Sequence, residues 1–169
     1  YRTKIRDLTN KKGTIITTAK DPDAESVYEM YYEFSAPISK MTGYRTLAIN
    51  RGEKEKVLNV KVDAPADDIL AYLHRQIIVG NSPEFTAILE NTIADSYDRL
   101  IAPAIEREIR NSLTESAEDG AIKVFASNLQ QLLMQPPIAG QTVLGWDPAF
   151  RTGCKLAVVD PTGKVLDTV

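Results

Sequence analysis

The sequence predicts a mainly α-helical chain that closes on a few short β-strands. Three observations carry that class. Apolar residues Ile105, Ile109, Leu113, Ala117, Ala121, Phe125, Leu129 and Leu132 step by four and three, as one stripe of a long helix does. Helix punctuation recurs along the chain: Pro65 and Gly80 bracket Asp67 to Val79, and Ser82-Pro83 opens the next helix with a cap and a first-turn proline. After Pro136-Pro137 the period changes, and TVLGWD, KLAVVD and KVLDTV are short apolar runs separated by turn residues.

The elements follow in order. Residues 1–10 suit a short helix ended by Gly13. TIITTA at 14–19 is β-branched and suits strand or loop. DPDAES at 21–26 has the form of a helix start, with Asp21 as cap and Pro22 in the first turn. VYEMYYEF would continue that helix, its Tyr28, Tyr31, Tyr32 and Phe34 packed into a core; stacking on bases is the functional alternative. Pro37 interrupts, and a helix over 42–51 is expected to close on Gly52. VLNVKV at 57–62 is a strand or a helix tail. From Ser82 the helical pattern runs to about Leu133, with Pro103 at a join or kink and Gly120 weakening the middle by ~1 kcal/mol. Unbroken, 103–134 would span about 45 Å. PPIAGQ at 136–141 reads as a linker, and Asp160-Pro161-Thr162-Gly163 as a tight turn between strands. A β-meander of about 25 residues cannot bury a core alone.

Composition narrows the function classes. The chain has 169 residues, 43% hydrophobic and 25% charged, a globular balance. One cysteine excludes an internal disulfide framework and a Cys-rich zinc site. No apolar run reaches the ~18 residues of a membrane span, and no signal-peptide pattern is present, so the expected setting is cytoplasmic. The chain opens on Tyr1 without Met and closes on DTV, which reads as a piece of a longer protein. Net charge is −3, but residues 1–20 carry six basic residues against Asp7, a local +5 that leaves −8 elsewhere. That asymmetry points weakly to an anionic partner, with Arg2, Lys4, Arg6, Lys11 and Lys12 as the candidate contacts. The bland alternative is a solvated helix face. Nothing in the sequence speaks to oligomeric state.

The densest motif is GWDPAFRTGCKLAVVD, residues 145–160. Asp147 ends an apolar strand, Pro148 and Ala149 turn the chain, and Arg151, Thr152 and Gly153 lead it back. This resembles the opening of the YqgF/RuvC branch of ribonuclease H-like domains, which begins with a strand ending in G-I-D-P-G. Ala149 stands where that pattern has glycine. More widely, YEMYYEFSAPI (28–38), YRTLAINRGEKEKVL (44–58), LIAPAIEREIR (100–110) and AIKVFASNLQQLLMQPPIAG (121–140) are similar to the Tex family of transcription accessory proteins. Ala36 replaces an acidic residue and Tyr44 a His usual in that family, so neither takes a family role here. The resemblance implies that 1–140 is a helical region and that 141–169 is the start of an incomplete ribonuclease H-like α/β domain.

It also implies where chemistry would sit. Asp147 matches the first-strand carboxylate of metal-dependent nucleases, which need several carboxylates for two Mg²⁺ ions. Asp160 reads as turn chemistry, and further ligands would have to come from other parts of a longer protein. No hydrolytic activity and no cofactor are therefore expected of this chain, Mg²⁺ entering only if the complete domain is active. His74 has no metal partner in the sequence, and Cys154 reads as a buried structural thiol. Arg45 and Arg51 lie about 240° apart on a helix, so one can face an anionic partner and the other an internal Glu; ion pairs with the acids of EREIR and TESAED are the first expectation. The leading class is RNA or DNA binding within a transcription accessory factor. The competing classes are a helical scaffold contacting the transcription machinery, and a non-catalytic part of a resolvase-like nuclease.

Overall fold

A computed structural model describes residues 1–80, 82–136, 138–149 and 153–169. Tyr1–Val124 and Phe125–Val169 form two compact units.

At the centre of the first unit lies a sheet that the helical periodicity does not announce. Strands β1 (Thr14–Ala19), β2 (Glu33–Pro37) and β3 (Leu58–Asp63) pair antiparallel in the order β2-β1-β3. The register sets Ile15 between Ala36 and Val62, and Thr17 between Phe34 and Val60. Because side chains alternate, these residues share one face, and that face enters the core. TIITTA and VLNVKV are thus strands.

The aromatic run corrects the sequence reading. Instead of a helix over 27–34, Glu29–Tyr31 makes a single 3₁₀ turn and the chain then enters β2. Asp21 does not cap a helix; its carboxylate accepts from the Asp23 N–H at 3.2 Å in a local turn. The physical cause is β1: its β-branched residues open an edge, and the period-2 pair Phe34 and Ala36 fills it, so pairing overrides the helical spacing. The core reading itself holds for Tyr28 and Tyr31, which are buried, while Tyr32 and Phe34 are half-buried. Tyr31 meets Phe34 edge to face, ring centroids 5.4 Å apart.

Helix α1 (Arg2–Lys12) buries Ile5 and Thr9 and stops at Gly13. The Gly13 carbonyl then accepts the Ile38 N–H at 3.0 Å, which joins the end of α1 to the 3₁₀ turn Ile38–Lys40. Helix α2 (Gly43–Lys54) runs through Gly52 and ends at Glu55, with Lys56 at φ 61 making the turn into β3. Gly52 is therefore not the cap. It is needed because a Cβ there would lie 2.7 Å from Leu58 Cδ1 and 3.2 Å from Tyr28 Cδ1.

Helix α3 (Ala66–Ile77) lies close to the expected bounds and buries Ile69 and Leu73. Helix α4 (Pro83–Ser96) starts at Ser82-Pro83 as read. A π-helical turn, Tyr97–Ile101, links it to α5 (Ala102–Leu133). The Ala102 N–H donates to the Tyr97 carbonyl, one residue further back than in an α-helix. This wide turn precedes Pro103, whose ring would otherwise press on the carbonyl four residues earlier.

The long apolar stripe divides. Ile105, Ile109 and Ala117 are buried and Leu113 half-buried, but Ala121, Phe125, Leu129 and Leu132 are exposed. Only the first half packs on the sheet and its helices. Glu106 of α5 also closes the outer edge of β3, its Oε1 accepting the Val62 N–H at 3.0 Å. Arg110 donates to Glu53 of α2, and Asn50 Nδ2 donates to Thr114 Oγ1 at 2.8 Å.

In the second unit, β4 (Val143–Asp147), β5 (Lys155–Val159) and β6 (Val165–Thr168) form an antiparallel meander in that order. The three expected strands are present. Leu144, Trp146, Val165 and Leu166 are exposed, while Leu156 to Val159 are half-buried.

Candidate nucleic-acid interface

Helix α1 distributes its basic residues over different faces. Arg2 and Arg6, four apart, meet Glu108 of α5, with Arg6 Nη1 3.7 Å from Oε2. Lys12 Nζ lies 2.6 Å from Asp68 Oδ2 of α3. These three side chains fasten α1 to two other helices. Lys4 and Lys11 are exposed, lie seven residues apart and share a face, with Asp7 between them. Among the described residues, neither lysine is within ion-pair distance of a carboxylate. Of the five candidate contacts, two are therefore free to meet a solution anion without breaking an internal pair.

A second positive feature lies at the start of α2. The guanidinium of Arg45 stands over two rings, 5.8 Å from the Phe34 centroid and 5.6 Å from the Tyr44 centroid. The sequence reading gave Arg45 and Arg51 ion pairs; among the described residues neither has one. The cause for Arg45 is local. The half-buried Phe34 ring at the margin of the sheet offers a π face, and no acid of EREIR or TESAED pairs with it. Of those acids, Glu108 meets Arg2 and Arg6, and Glu106 accepts the Val62 N–H. The Glu53–Arg110 pair lies between α2 and α5, and the hydrogen bonds that Arg110 donates to the Glu53 carboxylate raise the Arg110 pKa. The ring that remains open is Tyr44, 64% exposed. The denser aromatic cluster at residues 28–34 offers no such open pair, since Tyr28 and Tyr31 are buried; the signal that marks Tyr44 is the adjacent Arg.

Asp147 ends β4 and lies opposite Lys155 of β5, exposed. Asp160 serves its turn: Oδ1 accepts from Thr162 Oγ1 at 2.7 Å, Thr162 N at 2.8 Å and Lys164 N at 3.0 Å. The Thr162 hydroxyl and these backbone amides hold its carboxyl below the usual carboxylate range. Gly163 completes the turn at φ 88. A Mg²⁺ pair would need carboxylates converging on one point; among the described residues no three His, Cys, Asp or Glu side chains form such a cluster. Cys154 is exposed, not buried, because it precedes the paired residues of β5. Ala149 is not at positive φ, so glycine is not required there. Arg151 and Thr152, named in the same motif, lie outside the described residues. His74 is half-buried on α3, its Nε2 without a hydrogen-bond partner among the described residues.

The arrangement so far is that of a helix-covered sheet with a basic surface helix in one compact unit, and a β-meander in the second. The chain belongs to the Tex family: the Tex central region-like model matches residues 2–125. The Tex protein YqgF-like domain matches residues 141–169, in agreement with the strand motif. The protein YdcI of Bacillus subtilis (strain 168) is 57% identical over 169 residues, covering 98% of this chain and 24% of YdcI. The S1 RNA-binding domain-containing protein 1 of Homo sapiens is 41% identical over 97% of this chain and 18% of its own length. The transcriptional accessory protein Tex of Neisseria gonorrhoeae is 35% identical over 92% of this chain and 21% of its own length. The chain thus spans about a quarter or less of these curated relatives. No helix among the described residues is long and apolar enough to cross a membrane.

Proposed function

We propose that this chain belongs to a nucleic-acid-associated transcription accessory factor of the cytoplasm, and that it acts by binding and scaffolding rather than by catalysis. The observation that carries this reading is membership of a family with relatives named as a transcriptional accessory protein and as an S1 RNA-binding domain protein. In this reading residues 1–140 are the helical region and 141–169 open the ribonuclease H-like domain. Arg2, Lys4, Arg6, Lys11 and Lys12 form the basic surface. Lys4 and Lys11 face the phosphates, and Arg2, Arg6 and Lys12 keep α1 in place through Glu108 and Asp68.

The non-catalytic part is supported by what the two nearby carboxylates do. The Asp160 carboxylate is spent on the 160–163 turn, which leaves Asp147 as the one candidate ligand of this motif among the described residues. No cofactor enters this chain's own role; Mg²⁺ would concern a complete ribonuclease H-like domain only. The test is a titration of labelled single-stranded and duplex RNA and DNA against the chain at several salt concentrations. Phosphate contacts make log K fall linearly with log salt. Lys4→Gln with Lys11→Gln reduces that slope in the proposed case. Failure of the chain to bind any of the four nucleic acids at low salt sinks the reading. Divalent-metal-dependent cleavage of RNA or branched DNA, lost in Asp147→Asn, sinks its non-catalytic half.

A second reading, a protein scaffold for the transcription machinery, is favoured by the exposed apolar residues Phe125, Leu129 and Leu132. Capture of RNA polymerase that is lost when these three become serine would support it.

A further inference from the structure

We propose that the beginning of α2, together with the end of α1, is a landing site for single-stranded nucleic acid: Tyr44 receives a base, while Lys11 and Lys40 hold the flanking phosphates. This deepens the nucleic-acid reading above and rests on it.

Three observations converge on this surface. First, Tyr44 is a large ring left 64% exposed in the first turn of a helix. An isolated exposed ring needs no explanation, but this one is held. Arg45 sits over it at 5.6 Å and is itself anchored over Phe34 at 5.8 Å. The ordering of the ring is thus already achieved before a ligand arrives, which favours stacking. Second, the Arg45 guanidinium rests on π faces and has no carboxylate partner among the described residues. A base stacked on Tyr44 brings its phosphate into that field. Third, a backbone contact brings the chain segments that carry two further cations together, next to the start of α2 in sequence. The 3.0 Å bond from Ile38 N–H to the Gly13 carbonyl ties the end of α1 to the Ile38–Lys40 turn. Lys11 lies two residues before Gly13, and Lys40 two residues after Ile38. Both are exposed, and neither pairs with an acid among the described residues. Lys40 is then only four residues from Tyr44 along the chain.

An aromatic platform flanked by unpaired cations selects a strand with unstacked bases, because a duplex hides its base faces. The site therefore prefers single strands to duplexes, and tolerates any sequence. RNA and DNA share the chemistry; an oligonucleotide arm of each distinguishes them.

The test uses the 169-residue chain and fluorescein-labelled oligoadenylate, oligodeoxyadenylate and an abasic strand, each of about 12 nucleotides, by anisotropy. Tyr44→Ala is expected to weaken oligoadenylate binding about ten-fold, Tyr44→Phe to leave it unchanged, and the abasic strand to show no difference between them. Lys11→Gln with Lys40→Gln is expected to lower the salt slope by about 1.4 on all three strands. Circular dichroism melting verifies that each variant is folded. Equal binding of oligoadenylate by folded Tyr44→Ala and the parent chain overturns the inference and leaves the nucleic-acid reading standing. No binding by the parent chain overturns both.

Discussion

Two glycines in the same unit are expected to respond to the same substitution with opposite sign. Gly52 and Gly120 both lie inside helices, α2 and α5, and alanine is a better helix former than glycine by about 1 kcal/mol. At Gly120 a Cβ meets nothing within 4 Å, so the whole gain is realised. At Gly52 the Cβ would sit 2.7 Å from Leu58 Cδ1, 3.0 Å from Leu58 Cγ and 3.2 Å from Tyr28 Cδ1. Leu58 is 0% exposed, and its branch carbon is involved as well as its tip, so rotation of a methyl cannot relieve the overlap. The strand β3 or the Tyr28 ring must move. Overpacking of this kind costs roughly 1–3 kcal/mol. Taking about 2.5 for a site this closed and subtracting the helix gain of about 1 leaves a net loss of about 1.5 kcal/mol. At roughly 2–4 °C per kcal/mol, Gly52→Ala should melt about 3–6 °C lower and Gly120→Ala about 2–4 °C higher. Thermal and urea unfolding followed at 222 nm read both. Shifts of the same sign in the two variants, or a Gly52→Ala chain as stable as the parent, would refute the packing argument.

Four other outcomes are expected. Glu106→Ala leaves the Val62 N–H on the β3 edge without its acceptor and should cost about 1–3 kcal/mol, with Glu106→Gln milder; the urea midpoint and hydrogen exchange at Val62 report it. Ile109→Ala should cost about 2–5 kcal/mol, whereas Phe125→Ser should stay within about 0.5 kcal/mol, since only the former residue is buried. Asp160 is held below its ordinary pKa in the folded turn, so its contribution is present above about pH 4 and lost as pH falls through the lower folded value. The amide shifts of Thr162 and Lys164 should therefore move only below pH 4, and Asp160→Asn should abolish that titration while keeping the turn. Arg110→Met removes the donor to Glu53 and loosens α2 from α5; a lowered unfolding midpoint, partly restored by Glu53→Gln in the same chain, is expected.

The parts of the fold that local chemistry controls were legible in the residues. Ser82-Pro83 starts α4, Gly13 stops α1, and Asp160-Pro161-Thr162-Gly163 turns the meander, because each acts within one turn of backbone. What was not legible depends on partners far along the chain. Tyr28, Tyr31 and Phe34 have helical spacing, yet the edge of β1 recruits Phe34 into a strand. Gly52 resembles a cap until Leu58, across the turn, explains it. The apolar stripe of α5 has one period throughout, but periodicity records only which residues share a face. It cannot tell that Ile109 meets a sheet and Phe125 meets solvent. The candidate interface divides the same way: charge density pointed to α1, whereas the reach of Glu108 and Asp68, which engages three of its cations, is a tertiary fact. Arg45 was misassigned because ion pairing is the commoner use of arginine, and Phe34 lies eleven residues away in sequence.

The π-helical turn at Tyr97–Ile101 has a further consequence for how this chain tolerates length change. A helix keeps angular bookkeeping: each residue advances the azimuth by about 100°. The wide turn inserts one such step, so α4 and α5 are out of phase by that angle relative to an uninterrupted helix. Deleting one residue there would restore a regular ladder and still misplace the protein. Ile93 of α4 and Ile105 of α5 could no longer both face the core, although every hydrogen bond around them had improved. The irregularity acts as a vernier between two helices, and the chain is expected to accept changes in side-chain size at the exposed Asp98, Arg99 and Leu100 of this turn far more readily than a change in residue number.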